Sequence, residues 1–269
     1  MASALSGFSH SAGHHSDLLP AADCELIERK LPAIVGWLAS DTAYLTAYLM
    51  NFQSTHGIGG PALEFGVYHG KYLLLLLHCA LKHGEWVGGY DTFHLSAPET
   101  PWRHAAALFG SHDRMALWKA DSRTLTNDAV LLQIGVPPRF VSVDGDHSAE
   151  GTLHDLRVAS EVMADDGIIA LDDMFNAIAM GAAEGSFRFL GSPGCKVVPF
   201  AYVDNKTLLC NRDHHRFYFD AARSILDNCP DLALVRAFRR NEAGSRVELV
   251  QKLAGVDVIL FLQDLDEPA

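Results

Sequence analysis

The segment RFVSVDGDHS, Arg139 to Ser148, runs from an apolar stretch directly into Asp144, Asp146 and His147. A second apolar stretch, GIIALDDMFN, ends on Asp172 and Asp173. Carboxylates crowded at the ends of two strands repel unless a cation neutralises them or one takes a proton. Oxygen donors suit a hard divalent ion, Mg²⁺ or Mn²⁺, which makes Asp144, Asp172 and Asp173 candidate metal ligands. An imidazole beside them is a candidate general base. The plainer explanation is a strand-to-helix turn. Asp146 or Ser148 would then cap a helix starting near Ala149, and Asp173 would cap whatever follows it.

The elements that must position these groups alternate along the chain. Strands are expected over ALEFGV, EWVGGYD, ALWKAD, RFVSVD and GIIALDD, and helices over YLLLLLHCALKHG, TNDAVLLQIG and AEGTLHDLRVASEVM. This alternation implies a parallel sheet covered by helices on both faces, with ligands outside the carboxyl ends of the strands. VVPFAYV and KTLLCN are expected to pair antiparallel at one sheet edge through the turn DNK. Before the sheet, Leu26, Ile27, Leu31, Ile34, Val35 and Leu38 recur at helical spacing, and Asp41 is the expected N-cap of a second helix. Residues 1–20 are small and polar and are expected to be a disordered tail. The chain thus divides into that tail, N-terminal helices over 21–57, a main domain over 58–211 and an extension over 212–269 packed on it. In the extension a helix is expected from Phe217 to Leu226, and strands over VELVQ and VDVILFLQ.

The first strand ends in LEFGVYHGK, in which Glu64, Gly66 and Gly70 give E-x-G-x-x-x-G. Glycine there lets a backbone pass close to a ligand. The spacing matches neither the nicotinamide fingerprint nor a Walker loop. Asp91 closes the second strand, where a carboxylate can accept from both hydroxyls of a ribose. Asp121 and Ser122 stand at the end of the third, where an adenine could be held. Each could instead be a helix cap. Together, in this order, they favour an adenosine-containing ligand.

With these motifs in place, LEFGVYHGK, GGYDTF, VSVDGDHSAEGTLHDL, GIIALDD and NKTLLC resemble class I S-adenosylmethionine-dependent methyltransferases, and within them the metal-dependent O-methyltransferases of the macrocin type that act on sugars and other small molecules. The resemblance runs from about Gly60 to Cys210; ADDG, Ala164 to Gly167, replaces the Pro-Gly-Gly of many relatives in a turn. It implies a doubly wound, mostly parallel seven-stranded sheet, S-adenosylmethionine as cofactor, and an Mg²⁺ or Mn²⁺ ion on Asp144, Asp172 and Asp173 that binds the acceptor hydroxyl. The base that takes the hydroxyl proton is His147, or else Asp146, which sugar-modifying relatives with D-x-D place there. A sugar hydroxyl is the first expectation for the acceptor, and a phenol or polyketide hydroxyl the second.

Composition narrows the alternatives. The chain has 269 residues, 49% hydrophobic, with a formal net charge of −12, which disfavours nucleic acid as a partner. Its five cysteines form no C-x-x-C pair, and no apolar run is long enough to span a bilayer. A cytoplasmic enzyme without a membrane partner is expected, with homo-oligomers the common default. Two rivals remain. A nucleotide-sugar glycosyltransferase could hold a diphosphate through Mn²⁺ on Asp144 and Asp146, and a non-catalytic partner protein could keep the fold without turnover.

Overall fold

The computed structural model describes residues 17–110, 113–244 and 247–265. Nine strands form one sheet in the order β3-β2-β1-β4-β5-β7-β6-β9-β8. They are β1 (Ala62–Phe65), β2 (Val87–Asp91), β3 (Met115–Lys119), β4 (Phe140–Val143), β5 (Ile168–Asp172), β6 (Val197–Val203), β7 (Lys206–Asn211), β8 (Val250–Leu253) and β9 (Val256–Phe261). The first five are parallel neighbours, and β7 runs antiparallel to β5. The sheet therefore has nine strands rather than seven. The β6–β7 hairpin, expected at an edge, lies inside it, because β9 pairs parallel to β6 and β8 then pairs with β9.

The register brings the strand ends level. Phe65 of β1 faces Tyr90 of β2 and Val143 of β4, Val143 faces Leu171 of β5, and Asp172 faces Lys206 of β7. Strands buried on both faces need apolar side chains pointing both ways, and the sheet core is split accordingly. Ala62, Phe140, Ile168 and Ala170 face α2 (Ser40–Thr55), α3 (Lys71–Leu81) and α8 (His215–Asn228). Leu63, Val141, Ile169 and Leu171 face α5 (Asn127–Ile134), α6 (Ala149–Val162) and α7 (Met180–Leu190). A helix that is apolar all round must be buried; Tyr72 to Leu77 of α3 are all inside. Two further helices are α4 (Glu99–Phe109) and α9 (Ala233–Gly244). The first was not among the expected helices; its Pro101 lies in the first turn, where proline is tolerated.

The N-terminal region departs most from expectation. Residues 1–16 of the expected tail lie outside the described residues; Leu19, by contrast, is buried, and Leu18 accepts a hydrogen bond from Asn51. The helix α1 (Ala21–Glu25) passes into a π turn over Leu26–Lys30 and a 3-10 turn over Leu31–Ala33. There Pro32 removes a donor, and Ile34 to Ala39 run without helix, so Val35 and Leu38 do not continue the helical face. Asp41 sits in the first turn of α2, not at its N-cap, which is Ala39. The cap hydrogen bonds come instead from Asp204, in the β6–β7 turn, whose carboxylate accepts from the Thr42 amide at 3.1 Å and hydroxyl at 2.9 Å. Buried Asp23, held by His78, Lys82 and Asn51, fastens the region to α3.

Candidate functional site

A cavity of 1280 Å³ opens at the carboxyl ends of β1, β2, β4 and β5, and Glu64, Gly66, Asp91, Asp121, Ser122, Asp144, Asp146, His147, Asp172 and Asp173 all line it. Gly70 stands just behind it as the N-cap of α3, at φ 86°, with Pro101 against the place a Cβ would occupy. Gly66 has φ 87°, and a Cβ there would collide with the Asp144 carbonyl. The glycine is thus required first by the β4–α6 loop that carries the acids, a reason the sequence pattern does not show. A second cavity of 540 Å³, lined by Arg223, Asp227, Arg239 and Glu242 among others, contains none of these residues.

Backbone strain concentrates around the larger cavity. Tyr68 (φ 51°), Asp173 (φ 61°) and Asp204 (φ 50°) line it, and Phe93 (φ 52°) lies beside its wall. Non-glycine residues held at positive φ cost energy and persist where the surroundings dictate them. Asp91 does so for two of them, its Oδ2 accepting from the Tyr68 amide at 2.7 Å and its Oδ1 from the Phe93 amide at 2.5 Å.

The acids divide into two groups. His147 Nε2 lies 3.4 Å from Asp144 Oδ1 and 3.1 Å from Asp173 Oδ2. The hydrogen bond to Asp144 is the main cause that raises the imidazole pKa, with the charges of Asp173, Asp144 and Asp172 adding to it against burial. One donor atom from each of Asp144, His147 and Asp173 falls within 4.8 Å of the others. Asp172, expected among the ligands, is drawn to the other side. Its Oδ2 accepts from Lys206 Nζ at 3.0 Å and its Oδ1 from Asn205 at 3.0 Å. Burial raises the Asp172 pKa to about 6 against the pull of Lys206. Burial alone would lower the Lys206 pKa, but Asp172 and Asp144 outweigh it and hold the ammonium charged, 3.9 Å from Asp144 and over the Tyr72 ring. The cation that neutralises this acid cluster is therefore in part the chain's own.

That arrangement still fits a divalent ion. Ligands in cis at about 2.1 Å from a metal lie about 3 Å apart, close to the His147–Asp173 separation. Two carboxylates and an imidazole suit Mn²⁺ better than Mg²⁺, whose preference is for oxygen alone.

Asp146 is engaged elsewhere. Its carboxylate accepts from the Ser148 hydroxyl at 2.6 Å and from the Ser148 amide, and lies 3.4 Å from Arg123. Ser148 itself caps α6 through the Gly151 amide. Asp144 and Asp146 thus face different partners, unlike a D-x-D pair sharing one ion. Asp121 caps the short turn Ser122–Thr124 and pairs with Arg123, which lowers its pKa. Ser122 donates to buried Asp155 at 2.9 Å. Glu64 is buried, with Ser142 at 3.4 Å on Oε1 and no partner on Oε2, and burial raises its pKa well above the carboxylate range.

Lys206, Asn205, Asp155 and Tyr68 are parts of this site that sequence reading passed over. Lys206 and Asn205 belonged to an unremarkable hairpin turn, and Asp155 to the middle of a helix.

Residues 63–174 match a family model described as a methyltransferase domain. Among solved structures, the chain is similar to the O-methyltransferase NovP at 12% identity and TM-score 0.54, over 63% of this chain and 80% of that one. It is similar to cofactor-bound Rv0187 from MTB at 17% identity and TM-score 0.51, over 72% and 91%. A third is the SAH-bound Podospora anserina methyltransferase PaMTH1, at 17% identity and TM-score 0.50, over 72% and 88%. At these identities the likeness is one of fold. No curated protein matches the chain.

Proposed function

We propose that this chain is a class I, S-adenosylmethionine-dependent methyltransferase, and that it transfers the methyl group to a hydroxyl of a small molecule, with His147 as the proton acceptor; the methyltransferase-domain match over residues 63–174 supports the first part. The observation that carries this reading is the Asp144–His147–Asp173 cluster opening into the same cavity as the glycine loop and Asp91. On this reading Asp91 accepts from the ribose hydroxyls, since each of its oxygens has one amide partner and a further lone pair. The buried Oε2 of Glu64, without a protein partner, faces the amino group of the donor. Gly66 and Gly70 bring the loop backbone against the cofactor, and Asp121 and Ser122 border the adenine.

An alcohol attacks a sulfonium methyl well only if its proton has somewhere to go. Facing Asp144 Oδ1 and Asp173 Oδ2, His147 Nε2 carries the hydrogen that they accept, and Nδ1 is left as the basic nitrogen. The imidazolium formed on proton transfer is stabilised by the same two carboxylates, the logic by which an acid orients a histidine base. A divalent ion held by Asp144 and Asp173, with Asp172 behind them, would lower the pKa of the acceptor hydroxyl and fix it in line. A second reading is favoured by the 3.1 Å separation of His147 and Asp173: His147 is the third ligand, and its Nδ1 then carries the hydrogen and is no base. Asp146, bound by Ser148 and Arg123, is less suited to that task.

The test is calorimetric titration with S-adenosylhomocysteine, with and without Mg²⁺ and Mn²⁺. Micromolar binding supports the donor site, and an affinity for Mn²⁺ that Asp144→Ala removes supports the ion. Absence of S-adenosylhomocysteine binding under every condition overturns the reading.

A further inference from the structure

The floor and the mouth of the cavity have opposite chemistry. Buried Glu64, Tyr72, Asp173 and Lys206 form the floor. The mouth carries Val35 (59% exposed), Trp37 (88%), Leu95 (70%) and Ile178 (93%). These come from three separate segments: the stretch before α2, the loop after β2 and the loop after β5. Large apolar side chains left in water around one opening mark a surface that is covered in use.

Trp37 is the centre of this rim. One face of its indole stacks on Tyr68, with ring centroids 5.7 Å apart and planes 20° from parallel. Tyr68 is fixed in turn, its amide on Asp91 and its carbonyl accepting from Ser96. Lys71 Nζ donates to the Gly36 carbonyl at 3.0 Å and ties down the backbone that carries Trp37. The indole is therefore a platform ordered in advance, so a ring placed on its open face does not have to order it.

Size and charge restrict the occupant. A cavity of 1280 Å³ exceeds the roughly 300–1,000 Å³ that serve one small ligand, leaving room for a second body beside the donor. Eight carboxylates line it: Glu64 and Asp91, Asp121, Asp144, Asp146, Asp172, Asp173 and Asp204. Against them, among the described residues, stand Lys71, Arg123 and Lys206. Each is already engaged, on Gly36, on Asp121 and Asp146, and on Asp172 and Asp144 respectively. A phosphate or diphosphate would meet repulsion here and no waiting partner.

We propose that the mouth of the cavity is the subsite for the body of the acceptor, and that it takes a neutral molecule whose hydroxyl is carried on a flat apolar ring system stacked on Trp37, to the exclusion of phosphorylated or nucleotide-linked sugars. This deepens the methyltransferase reading and rests on it.

The test is calorimetric titration of the S-adenosylhomocysteine-loaded protein with methylumbelliferyl glucoside and, separately, with UDP-glucose. The expected result is that the aryl glucoside binds at least about tenfold more tightly than UDP-glucose. Trp37→Ala weakens it about tenfold, the scale of one lost aromatic stack, and Trp37→Phe restores most of the loss. Ile178→Asp, at a site more exposed still, weakens it independently and guards against a folding defect at Trp37. Equal or tighter binding of UDP-glucose, no binding of the aryl glucoside, or an affinity indifferent to Trp37→Ala each overturns the proposal. Binding of S-adenosylhomocysteine in the same samples separates the two failures. If it binds and the glucoside does not, only the subsite is wrong; if it does not bind, the donor site is wrong as well.

Discussion

Replacing Asp155 with asparagine tests the electrostatics beneath the Ser122 side of the cavity. Asp155, on α6, is 1% exposed; Oδ2 accepts from Ser122 and Oδ1 has no partner. Burial raises its pKa from 3.8 to about 7; the charges of Asp146 and Asp121 add to this, and the Ser122 hydrogen bond and Arg123 oppose it. Between those two values the unfolded chain has released a proton that the folded chain keeps. Stability is therefore fully present below the unfolded pKa and is lost as pH rises through the folded one. From about pH 5 to about pH 7 this amounts to two pH units at about 1.4 kcal/mol each, or about 3 kcal/mol. Asparagine does not titrate. The stability of Asp155→Asn relative to the parent should accordingly rise by about 3 kcal/mol between about pH 5 and about pH 8. The cost of burying an unpaired amide hydrogen is nearly constant with pH and cancels in that difference. Urea unfolding followed by tryptophan fluorescence at several pH values measures it. A stability difference that does not change with pH would refute the argument and show that Asp155 is ionised when folded.

Three further outcomes are expected. Asp172→Ala leaves the buried Lys206 ammonium without its closest partner and should destabilise the fold by about 3–5 kcal/mol, measured by urea unfolding; unchanged stability would detach Lys206 from Asp172. With His147 in the role proposed for it, activity needs the neutral imidazole, so turnover should fall as pH drops through a pKa raised above the ordinary imidazole value. Asp144→Asn replaces the charged acceptor of the hydrogen bond behind that upward shift with a neutral one and should move the acid limb of the pH–rate profile to lower pH; a limb that stays in place would point to a different base. Asp91→Ala should weaken S-adenosylhomocysteine by about 1.5–3 kcal/mol, the scale of a lost charge-assisted hydrogen bond, and an unaltered calorimetric affinity would move the ribose site elsewhere.

The parts of the fold legible in sequence were those where one periodicity ran without interruption. The strands over ALEF, FVSV and IIALD are short, mostly apolar and buried on both faces, and each ends within a residue or two of the expected acid. Val35 and Leu38 obeyed the helical spacing yet lie on no helix, because Pro32 and Gly36 intervene and spacing alone does not weigh them. Strands β8 and β9 extend the sheet through a pairing of Ala201 with Ile259, and so long a separation in sequence leaves no local signal.

The same distinction runs through the site. Asp144, His147 and Asp173 were legible because strand ends advertise themselves by an abrupt change from apolar to charged. Which acid does what was not legible, because it depends on Lys206, a residue whose neighbours in sequence say only that a hairpin turns there. Once β7 pairs antiparallel with β5, Lys206 is placed opposite Asp172 by register and the ammonium must be buried against it. A buried ammonium persists only beside a carboxylate, so Asp172 is claimed by Lys206 on one side. The adjacent Asp173, turned the other way by its positive φ, is left to face His147. Two consecutive aspartates that read as a pair in sequence thereby acquire separate partners, one an internal cation and the other the His147 imidazole.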